Sequence, residues 1–517
     1  MLTKQQISQN HQRHYLRAVV RFFTYLFAFL LAGIAFWVSS NFGQASLEQV
    51  LYHAQFGTDG LVTMDTGIVR SFILTCIALP FVVAFLLVIL EYAIAMYLVY
   101  NSRHWFAQSM RVFNLRRLKM IYGFIGHRAP LYTLIIAAIY FAFQFSISAF
   151  VHNQFGKDYF GEHYVYPQAI KVTPKPNIHP KNLVLIYVES LENTYKDKRE
   201  FGKNLLSSLD QFGGVGFTHY QQVMGTHWTI AGVTATQCGV PLKNVTLYNG
   251  KTQGENIKAF LPGAICLGDI LHNAGYHNVY MGGDSLLFSG KGKFFKDHHF
   301  DEAYGREELK KNLTAKDMHF WGLYDNDLLA AAKEKLIQLH ATSQPFNLTI
   351  TTIDTHGPDG YISPYCIKRG VKNFRGLVEC TSDQVADFVK FMQKSGYLKD
   401  TNVVIIGDHL AMYNPEYKVL DRTKKRYIYN QFISPQQVSK NRENILHFDV
   451  FPTILEFLGF DVEGGKLGLG YSAITPDTPL PPATRYEDME EDLLNKSEKY
   501  LQLWREKAAE NRVLIKK

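Results

Sequence analysis

Gly225-Thr226-His227-Trp228-Thr229-Ile230-Ala231-Gly232 is the stretch that decides how the rest of the chain is interpreted. It predicts a tight turn that delivers one hydroxyl group, that of Thr229, to the first turn of a helix. The N–H groups at the start of a helix point outward and bind phosphate. A threonine hydroxyl is unreactive at neutral pH unless a base or a metal ion activates it. We therefore expect Thr229 to be a nucleophile and the activating groups to come from elsewhere in the chain.

The first third of the 517-residue chain contains three long apolar runs, at about 22–42, 71–99 and 129–151. Each run is long enough to cross a bilayer as a helix, which takes roughly 20 residues. The first run is also too long for the apolar core of a signal peptide, which has about 7–15 residues. The sequence therefore predicts three transmembrane helices.

The charges that flank these runs predict their orientation. Basic residues from Lys4 to Arg21 precede the first run with no acid among them, and the loop 101–128 is basic in the same way. Such segments are typically cytoplasmic, and an odd number of crossings then places the chain after residue 152 outside. The formal net charge of +8 is thereby interpreted as a topology signal, and a nucleic-acid partner is not expected.

Beyond the membrane runs, short apolar runs rich in β-branched residues alternate with helical patterns, from Leu183–Val188 to Asn402–Ile406. This alternation predicts an α/β fold with a mainly parallel sheet covered by helices on both faces. The expected domains are a membrane domain over 1–152, a proline-rich linker over 153–181, a catalytic domain over 182–475 and a charged helical C-terminal tail over 476–517.

Polar residues stand directly after the first and last of these predicted strands. Glu189 follows the first strand, and Asp408 and His409 follow the last. The carboxyl ends of parallel strands meet at one edge of a sheet, where ligand sites collect. Two carboxylates, an imidazole and the Thr229 oxygen form a ligand set for a divalent metal ion, with manganese favoured and zinc or magnesium as alternatives. Such an ion would make the Thr229 hydroxyl reactive.

Further residues are candidates for binding substrate, transferring protons or supporting a metal ligand. His356, after a third strand, is expected to contact substrate and to serve as the general acid or base for the leaving or entering hydroxyl. Lys291, in a glycine-rich loop, is expected to hold a phosphate oxygen, and Trp228 beside the nucleophile is a candidate substrate contact. His447 either supports a metal ligand or begins a helix, and both interpretations stay open. Asp354 is expected to cap a turn rather than to bind metal.

The cysteines predict an oxidising compartment. Cys76 lies in a membrane run, whereas the other four of the five cysteines form an even set in the outer domain. Four cysteines allow three connectivities. Of these we expect Cys366–Cys380, which closes a short polar loop, together with Cys238–Cys266.

The outer domain contains a set of short motifs. They are Val188-Glu189-Ser190, Thr229-Ile230-Ala231-Gly232, Gln237-Cys238-Gly239-Val240-Pro241-Leu242, Cys266-Leu267-Gly268-Asp269-Ile270-Leu271, Asp354-Thr355-His356-Gly357-Pro358-Asp359-Gly360, Gly407-Asp408-His409-Leu410-Ala411-Met412 and His447-Phe448-Asp449-Val450-Phe451-Pro452-Thr453-Ile454-Leu455. In these motifs the sequence resembles the alkaline phosphatase and sulfatase superfamily, in its membrane-anchored branch with lipoteichoic acid synthases and phosphoethanolamine transferases. Within that branch the sequence from about 182 to about 472 resembles the phosphoglycerol transferase I group.

The resemblance implies an activity. It implies phosphatidylglycerol as donor, a glycerophosphoryl-threonine intermediate at Thr229, release of diacylglycerol, and transfer to a sugar hydroxyl of an osmoregulated periplasmic glucan or a related cell-surface glycan. It also implies a multi-pass protein of the bacterial inner membrane with its catalytic domain in the periplasm. The glycan acceptor stays open, and the sequence indicates no oligomeric state.

Other functions fit parts of the sequence. A phosphoethanolamine transferase would move a different head group to a cell-envelope glycolipid, and a metal-dependent phosphodiesterase would use water as acceptor. A transporter or lipid-binding scaffold would place ionisable residues inside the membrane runs. Glu91 is the ionisable residue near these runs, and it follows the uncharged stretch Ser71–Leu90 directly, which disfavours that class.

Overall fold

The computed structural model describes two compact units. The first unit takes Met1–Leu47 with Asp65–Ala149, and the second takes Glu48–Met64 with Phe150–Lys517. The described residues of the first unit are helical, whereas those of the second form an α/β fold. The structure describes residues 4–42, 47, 50–51, 66–103, 128–167, 171–175, 179–243, 259–310, 314, 318–474, 476 and 478–505.

Two helical segments of the first unit are long and apolar enough to cross a membrane. They are Tyr15–Asn41 and Val69–Met96, with mean hydropathies of 2.0 and 3.0. Only 17% of the apolar window in each is buried within protein, and large side chains such as Phe81 and Leu86 are exposed. Apolar helices with exposed apolar side chains are typical of segments surrounded by lipid. The helical bounds are Lys4–Phe42, Thr66–Phe72, a π-helical stretch Ile73–Ala78, Leu79–Arg103, Ala129–Gln144 and Ile147–His152.

The prediction of three spans is confirmed for two. The third predicted span, 129–151, is divided into the 16-residue helix Ala129–Gln144 and the short helix Ile147–His152. Ser146 between them has a left-handed φ of 48°, which interrupts the helix. Sixteen residues at about 1.5 Å each cover about 24 Å, less than the roughly 30 Å of a hydrocarbon core. Most of the predicted cytoplasmic loop 101–128 lies outside the described residues.

An ion pair joins the two long helices. Arg21 donates to both Glu91 oxygens at 2.7 Å, and the Tyr25 hydroxyl donates to Glu91 Oε1 at 2.5 Å. Glu91 is therefore paired with a partner on the neighbouring helix, as ionisable residues in membrane segments usually are.

The second unit is organised around a six-stranded sheet. Its order is β3-β2-β4-β1-β5-β6; β6 is antiparallel to β5, and all other neighbouring pairs are parallel. The predicted α/β class with a mainly parallel sheet is therefore confirmed. The strands are Asn182–Val188 (β1), His277–Gly282 (β2), Glu302–Tyr304 (β3), Phe346–Thr351 (β4), Thr401–Gly407 (β5) and Asn430–Ile433 (β6).

Helices cover both faces of this sheet. Alternate β1 residues point to opposite sides: Leu185 packs in one apolar cluster and Ile186 in the other. Because both faces are buried, the strands carry continuous apolar runs rather than an alternating pattern. The first cluster includes helices α1 and α4, and the second includes α2 and α3. These helices are Thr229–Cys238 (α1), Asp325–His340 (α2), Phe374–Lys394 (α3) and His447–Phe457 (α4).

The segments on either side of the predicted catalytic domain pack against its core. In the predicted linker 153–181, Val172–Pro174 pairs antiparallel with Phe460–Val462. In the predicted tail 476–517, the buried Tyr500 ring meets Phe160 edge-on at 5.3 Å. These segments therefore belong to the folded unit, because they bury large aromatic side chains. The flanking helices are Tyr159–His163, Arg485–Asp492 and Glu498–Arg505.

Both expected disulfides are present. Cys238, the last residue of α1, is bonded to Cys266, which precedes the helix Leu267–Asn273. Cys366 is bonded to Cys380, which lies in α3. Among the described residues, Cys76 is a free and buried cysteine.

Thiol counting tests this pairing. Denatured full-length protein alkylated without reductant should carry one alkyl group per chain, on Cys76, and five after reduction. Cys76→Ser should reduce the first number to zero, as measured by intact mass. Cys238→Ser should lower the free energy of unfolding by about 2–4 kcal/mol, because it removes a cross-link. Three or five thiols before reduction would contradict the assignment.

Candidate metal centre and active site

The register of two neighbouring strands places the central carboxylates. β1 and β5 run parallel with Val188 opposite Gly407. Glu189 and Asp408 are the next residues along each strand, so both leave the sheet at the same edge. Glu189, Asp408 and His409 are all 0% exposed. The sheet therefore brings two acids and an imidazole together in a buried position.

The ligand atoms of these residues converge. His409 Nε2 lies 3.5 Å from Glu189 Oε1 and 3.4 Å from Asp408 Oδ2. The Thr229 hydroxyl donates to Glu189 Oε2 at 3.3 Å. Atoms bound at about 2.1 Å to one tetrahedral ion lie about 3.4 Å apart. The two separations from His409 Nε2 are of this size, and one ligand atom from each of Glu189, Asp408 and His409 lies within 4.8 Å of the others.

Two atoms of the cluster hydrogen-bond to none of the described residues. Asp408 Oδ2 and His409 Nε2 are buried without such a partner, although buried polar atoms are normally satisfied. The second polar atom of each side chain does have a partner. Asp408 Oδ1 accepts hydrogen bonds from the Ser190 and His409 N–H groups at 2.8 and 2.9 Å. His409 Nδ1 donates to the Leu410 carbonyl at 2.9 Å. The bare atoms are those that a divalent cation would use, so the residues fit such an ion.

Electrostatics of the buried groups also favour a cation. The pKa of Asp408 is raised to about 6, mainly by burial and then by the Glu189 carboxylate. Burial lowers the pKa of His409, but Asp408 and Glu189 outweigh this effect and hold it above the ordinary value. A divalent ion among these side chains would offset the repulsion between the two carboxylates.

Thr229 is the first residue of α1. Trp228 before it is extended, with φ of −145° and ψ of 160°, and is 6% exposed. Gly232 lets the helix approach the metal-binding loop, because a Cβ there would lie 2.1 Å from the Asp408 carbonyl oxygen. The first turn of α1, in which the Ala231 and Gly232 N–H groups donate to the Trp228 carbonyl at 2.9 Å, therefore lies against the acidic cluster.

His356 and His447 take different positions at this site. His356 Nδ1 donates to the Gly357 carbonyl at 2.8 Å, its ring lies 4.5 Å from Trp321, and burial lowers its pKa to about 4. His447 Nε2 donates to the Asp408 carbonyl at 2.8 Å and burial lowers its pKa to about 3. His447 is also the first residue of α4, so both interpretations left open for it describe its position.

Lys291, expected from the sequence to hold a phosphate oxygen, is paired with a neighbouring carboxylate. It is 3% exposed and forms a buried ion pair with Asp284. Asp284 and other neighbouring negative groups, including Glu189, raise the pKa of Lys291 although burial opposes this. Lys291 is therefore a charged group near the acidic cluster, held in place by a carboxylate.

Comparisons with known proteins follow this geometry. The sulfatase family profile matches residues 181–460. The chain belongs to the sulfatase family. Phosphoglycerol transferase I of Escherichia coli strain K12 is 38% identical over 325 residues, which is 60% of this chain and 41% of that protein. The same protein of Shigella flexneri is 38% identical over 330 residues, with the same coverage. The lipoteichoic acid synthase LtaP from Listeria monocytogenes has a TM-score of 0.45 and 17% identity, covering 60% of this chain and 80% of that one.

The sequence resemblance to phosphoglycerol transferases is therefore confirmed. This chain spans about two fifths of the length of the curated relatives that it matches. The similarity shows the family, and it leaves the activity of this sulfatase-family chain to be proposed from its own site.

Sequence reasoning missed three residues beside this sulfatase-family site. Asp284 stands two residues after β2, so the rule that selected Glu189 would have found it. His227 is a neighbour of His409, since burial and then the His409 charge lower its pKa to about 4. Trp321 precedes a helix in a loop, and no pattern in the sequence predicts its contact with the His356 ring.

Gly232→Ala tests the close approach of α1. Alanine normally stabilises a helix interior by up to about 1 kcal/mol relative to glycine. Here we expect a loss of about 1–3 kcal/mol, because the added methyl group meets the Asp408 backbone. Gly376→Ala in α3 is the matched control, since a flexible Val371 methyl group 3.2 Å away is the nearest atom there. Chemical unfolding of both variants measures the sign, and a stabilised Gly232→Ala protein would refute the packing.

Proposed function

We propose that this chain transfers a phosphoglycerol group from phosphatidylglycerol to a periplasmic glycan, through a covalent glycerophosphoryl-threonine at Thr229. The strongest support is the position of the Thr229 hydroxyl: it starts a helix and hydrogen-bonds to Glu189 within a cluster that has two bare ligand atoms. The similarity to enzymes named phosphoglycerol transferase I supports the choice of head group. An osmoregulated periplasmic glucan is the acceptor favoured by that resemblance.

Four side chains would hold the metal ion. Glu189, Asp408, His409 and Thr229 provide the donors, and manganese suits their mixture of oxygen and nitrogen, with zinc or magnesium as alternatives. When bound, the ion lowers the pKa of the Thr229 hydroxyl and offsets negative charge on the phosphoryl group. His447 keeps the ligand loop in place through its bond to the Asp408 carbonyl.

The reaction consists of two displacements at phosphorus. In the first, the Thr229 hydroxyl gives up its proton and its oxygen forms a bond to phosphorus, while the bond from phosphorus to the diacylglycerol oxygen breaks and the leaving oxygen takes up a proton. In the second, a sugar hydroxyl gives up its proton and forms a bond to phosphorus, while the bond from phosphorus to the Thr229 oxygen breaks and that oxygen takes up a proton. Backbone N–H groups at the start of α1 are available to the phosphoryl oxygens in both steps.

His356 is suited to the proton transfers. Its lowered pKa keeps the imidazole neutral at pH 7, and its Nδ1 is occupied by the Gly357 carbonyl. Nε2 is therefore the atom that accepts the proton of the entering sugar hydroxyl. Contact of His356 with the Trp321 ring holds the imidazole plane.

Lys291 and Trp228 are proposed as substrate contacts. The Asp284 carboxylate fixes the Lys291 ammonium group in a buried position, where a positive charge attracts a phosphodiester more strongly than at the surface. Trp228 lies directly before the nucleophile, at the opening of α1.

Membrane attachment would hold this site near its donor. The two apolar spans, Tyr15–Asn41 and Val69–Met96, are consistent with an inner-membrane protein. A periplasmic catalytic domain follows from the basic flanking segments together with a third crossing by 129–151, and that third crossing is part of this proposal. A lipid donor in the outer leaflet of that membrane would then be within reach.

Trapping the intermediate tests the donor and the nucleophile. Full-length protein in detergent, given Mn²⁺ and phosphatidylglycerol but no glycan, should release diacylglycerol and gain one glycerophosphoryl group on the peptide that contains Thr229. Thr229→Ala should lose the adduct and reduce turnover by at least about 10³-fold, because the nucleophile is absent. The exposed Thr342→Ala is the control and should behave like wild type.

Mass spectrometry and a lipid assay read the two results. Diacylglycerol released from phosphatidylethanolamine alone would overturn the donor, and an undiminished adduct in Thr229→Ala would overturn the nucleophile. Release of glycerol phosphate to water at an undiminished rate when glycan is present would instead favour a phosphodiesterase.

Metal removal provides a separate test. Chelation with EDTA should abolish transfer, and Mn²⁺ should restore it, because a threonine hydroxyl needs activation. Glu189→Gln should weaken Mn²⁺ binding at least about 100-fold, since it replaces a charged ligand by a neutral amide. Isothermal titration of the metal-free protein measures this. Full transfer by protein shown to be metal-free by elemental analysis would be incompatible with the proposed centre.

A further inference from the structure

An ion pair between the buried Glu192 and the partly buried Arg426 connects the two loops that carry the metal ligands. Glu192 is 0% exposed and stands three residues after Glu189. Arg426 Nε donates to the two Glu192 oxygens at 3.0 and 3.1 Å, and its Nη2 also donates to Oε2. This pair was not among the residues expected from the sequence to contribute to the site.

The same two side chains hold one peptide unit on each side of Ala411. The Ala411 N–H donates to Glu192 Oε2 at 3.2 Å, and Arg426 Nη2 donates to the Ala411 carbonyl at 2.6 Å. Ala411 lies two residues after His409. The ion pair therefore takes the place of backbone pairing at a point where β5 has ended and no regular element follows.

The held segment in turn orients a metal ligand. His409 Nδ1 donates to the carbonyl of Leu410, the residue before Ala411, and this bond leaves Nε2 facing the carboxylates. The Leu410 N–H donates to Gln222 Oε1 at 2.7 Å. A shift of Ala411 would therefore move the carbonyl that fixes the His409 ring.

Stability alone is a weak reason for a buried ion pair. Removing two charged groups from water costs several kcal/mol, and the attraction between them often does no more than offset that cost. Glu192 is fully buried, and its two oxygens are engaged by one guanidinium and one peptide N–H. This geometry suits a role in fixing the position of the backbone, because a bidentate pair with Arg is directional.

We propose that Glu192 and Arg426 are positioning residues for the metal centre: they set the separation between Glu189 on one loop and the Asp408–His409 pair on the other. This proposal rests on the metal site described under the proposed function. Partners of ligand groups of this kind typically account for 10–100-fold in metal affinity.

Variants at Arg426 test the proposal through metal binding rather than activity. In full-length protein stripped of metal, Arg426→Gln should raise the Mn²⁺ dissociation constant about 10–100-fold, and Arg426→Lys should raise it less, because lysine keeps the charge but loses the bidentate geometry. Thermal unfolding of each variant is recorded alongside, so that titrations are compared for folded protein. If Arg426→Gln does not fold, Arg426→Lys and Glu192→Gln decide the question.

Arg375→Lys is the matched control. Arg375 makes the same two-point contact with Glu416, at 2.8 Å for each bond, but no described hydrogen bond of either side chain reaches the residues from Asp408 to Ala411. Its Mn²⁺ affinity should stay within about twofold of wild type, because it lacks the link to the ligand loop.

The outcomes separate this proposal from the one on which it rests. Weakened Mn²⁺ binding in the Arg426 variants, with normal binding in Arg375→Lys, supports it. Normal affinity in every folded Arg426 and Glu192 variant, while Glu189→Gln still loses metal, overturns the positioning role and leaves the metal centre in place. If Glu189→Gln also binds Mn²⁺ normally, the metal centre itself is refuted.

Discussion

Burial of two carboxylates at the same edge of one sheet is the constraint on which this structure depends. The parallel register of β1 and β5 makes it unavoidable that Glu189 and Asp408 lie close together. Burial and the neighbouring Glu189 carboxylate raise the pKa of Asp408, and the repulsion between the two acids must be offset by protons or by a cation. A divalent ion can do this while also binding the imidazole of His409 and the hydroxyl of Thr229, which mixed oxygen and nitrogen sites of this kind provide. The local electrostatics therefore favour a metal centre over a purely structural acidic pair.

The surrounding fold keeps these side chains at the distances expected between ligands of one ion. Two of the ligands are held through atoms other than their ligand atoms: Asp408 Oδ1 accepts from two backbone N–H groups, and His409 Nδ1 donates to the Leu410 carbonyl. His447 binds the carbonyl of Asp408 in the same loop. Helix α1 is brought in by Gly232, whose missing side chain leaves room for the Asp408 backbone. Such outward-facing contacts leave the inward-facing atoms free, which is the arrangement that a preorganised site requires.

The sequence allowed the core of the fold and the central cluster to be predicted, because both depend on local patterns. Continuous apolar runs indicated β1 and β5, and polar residues after a strand end indicated Glu189 and Asp408. The third span was predicted from hydropathy, which does not register the left-handed residue Ser146. Contacts between residues far apart in the chain could not be predicted either. Nothing in the sequence near Arg426 indicates that it pairs with Glu192, 234 residues away. Lys291 and Asp284 are close in sequence, but their pairing was not predicted, because burial of a lysine depends on the surrounding tertiary structure.

The C-terminal segment, predicted from the sequence as a charged helical tail, contacts the turn that leads to Thr229. The Met224 N–H donates to Glu490 at 2.8 Å. Gly225 has a φ of 80°, and a Cβ there would lie 2.9 Å from Pro241 and 3.4 Å from a methyl group of Leu494. The turn is therefore enclosed between the end of α1 and the C-terminal helices, and only glycine fits its backbone conformation without strain. Within the turn, Thr226 donates to the Val223 carbonyl through its N–H at 3.2 Å and its hydroxyl at 2.7 Å, and the C-terminal segment adds contacts from outside. The charged C-terminal sequence thus belongs to the structure that positions the Thr229 hydroxyl, and the exposed charged side chains of the helix Glu498–Arg505 lie opposite a buried face of Tyr500, Leu501, Leu503 and Trp504.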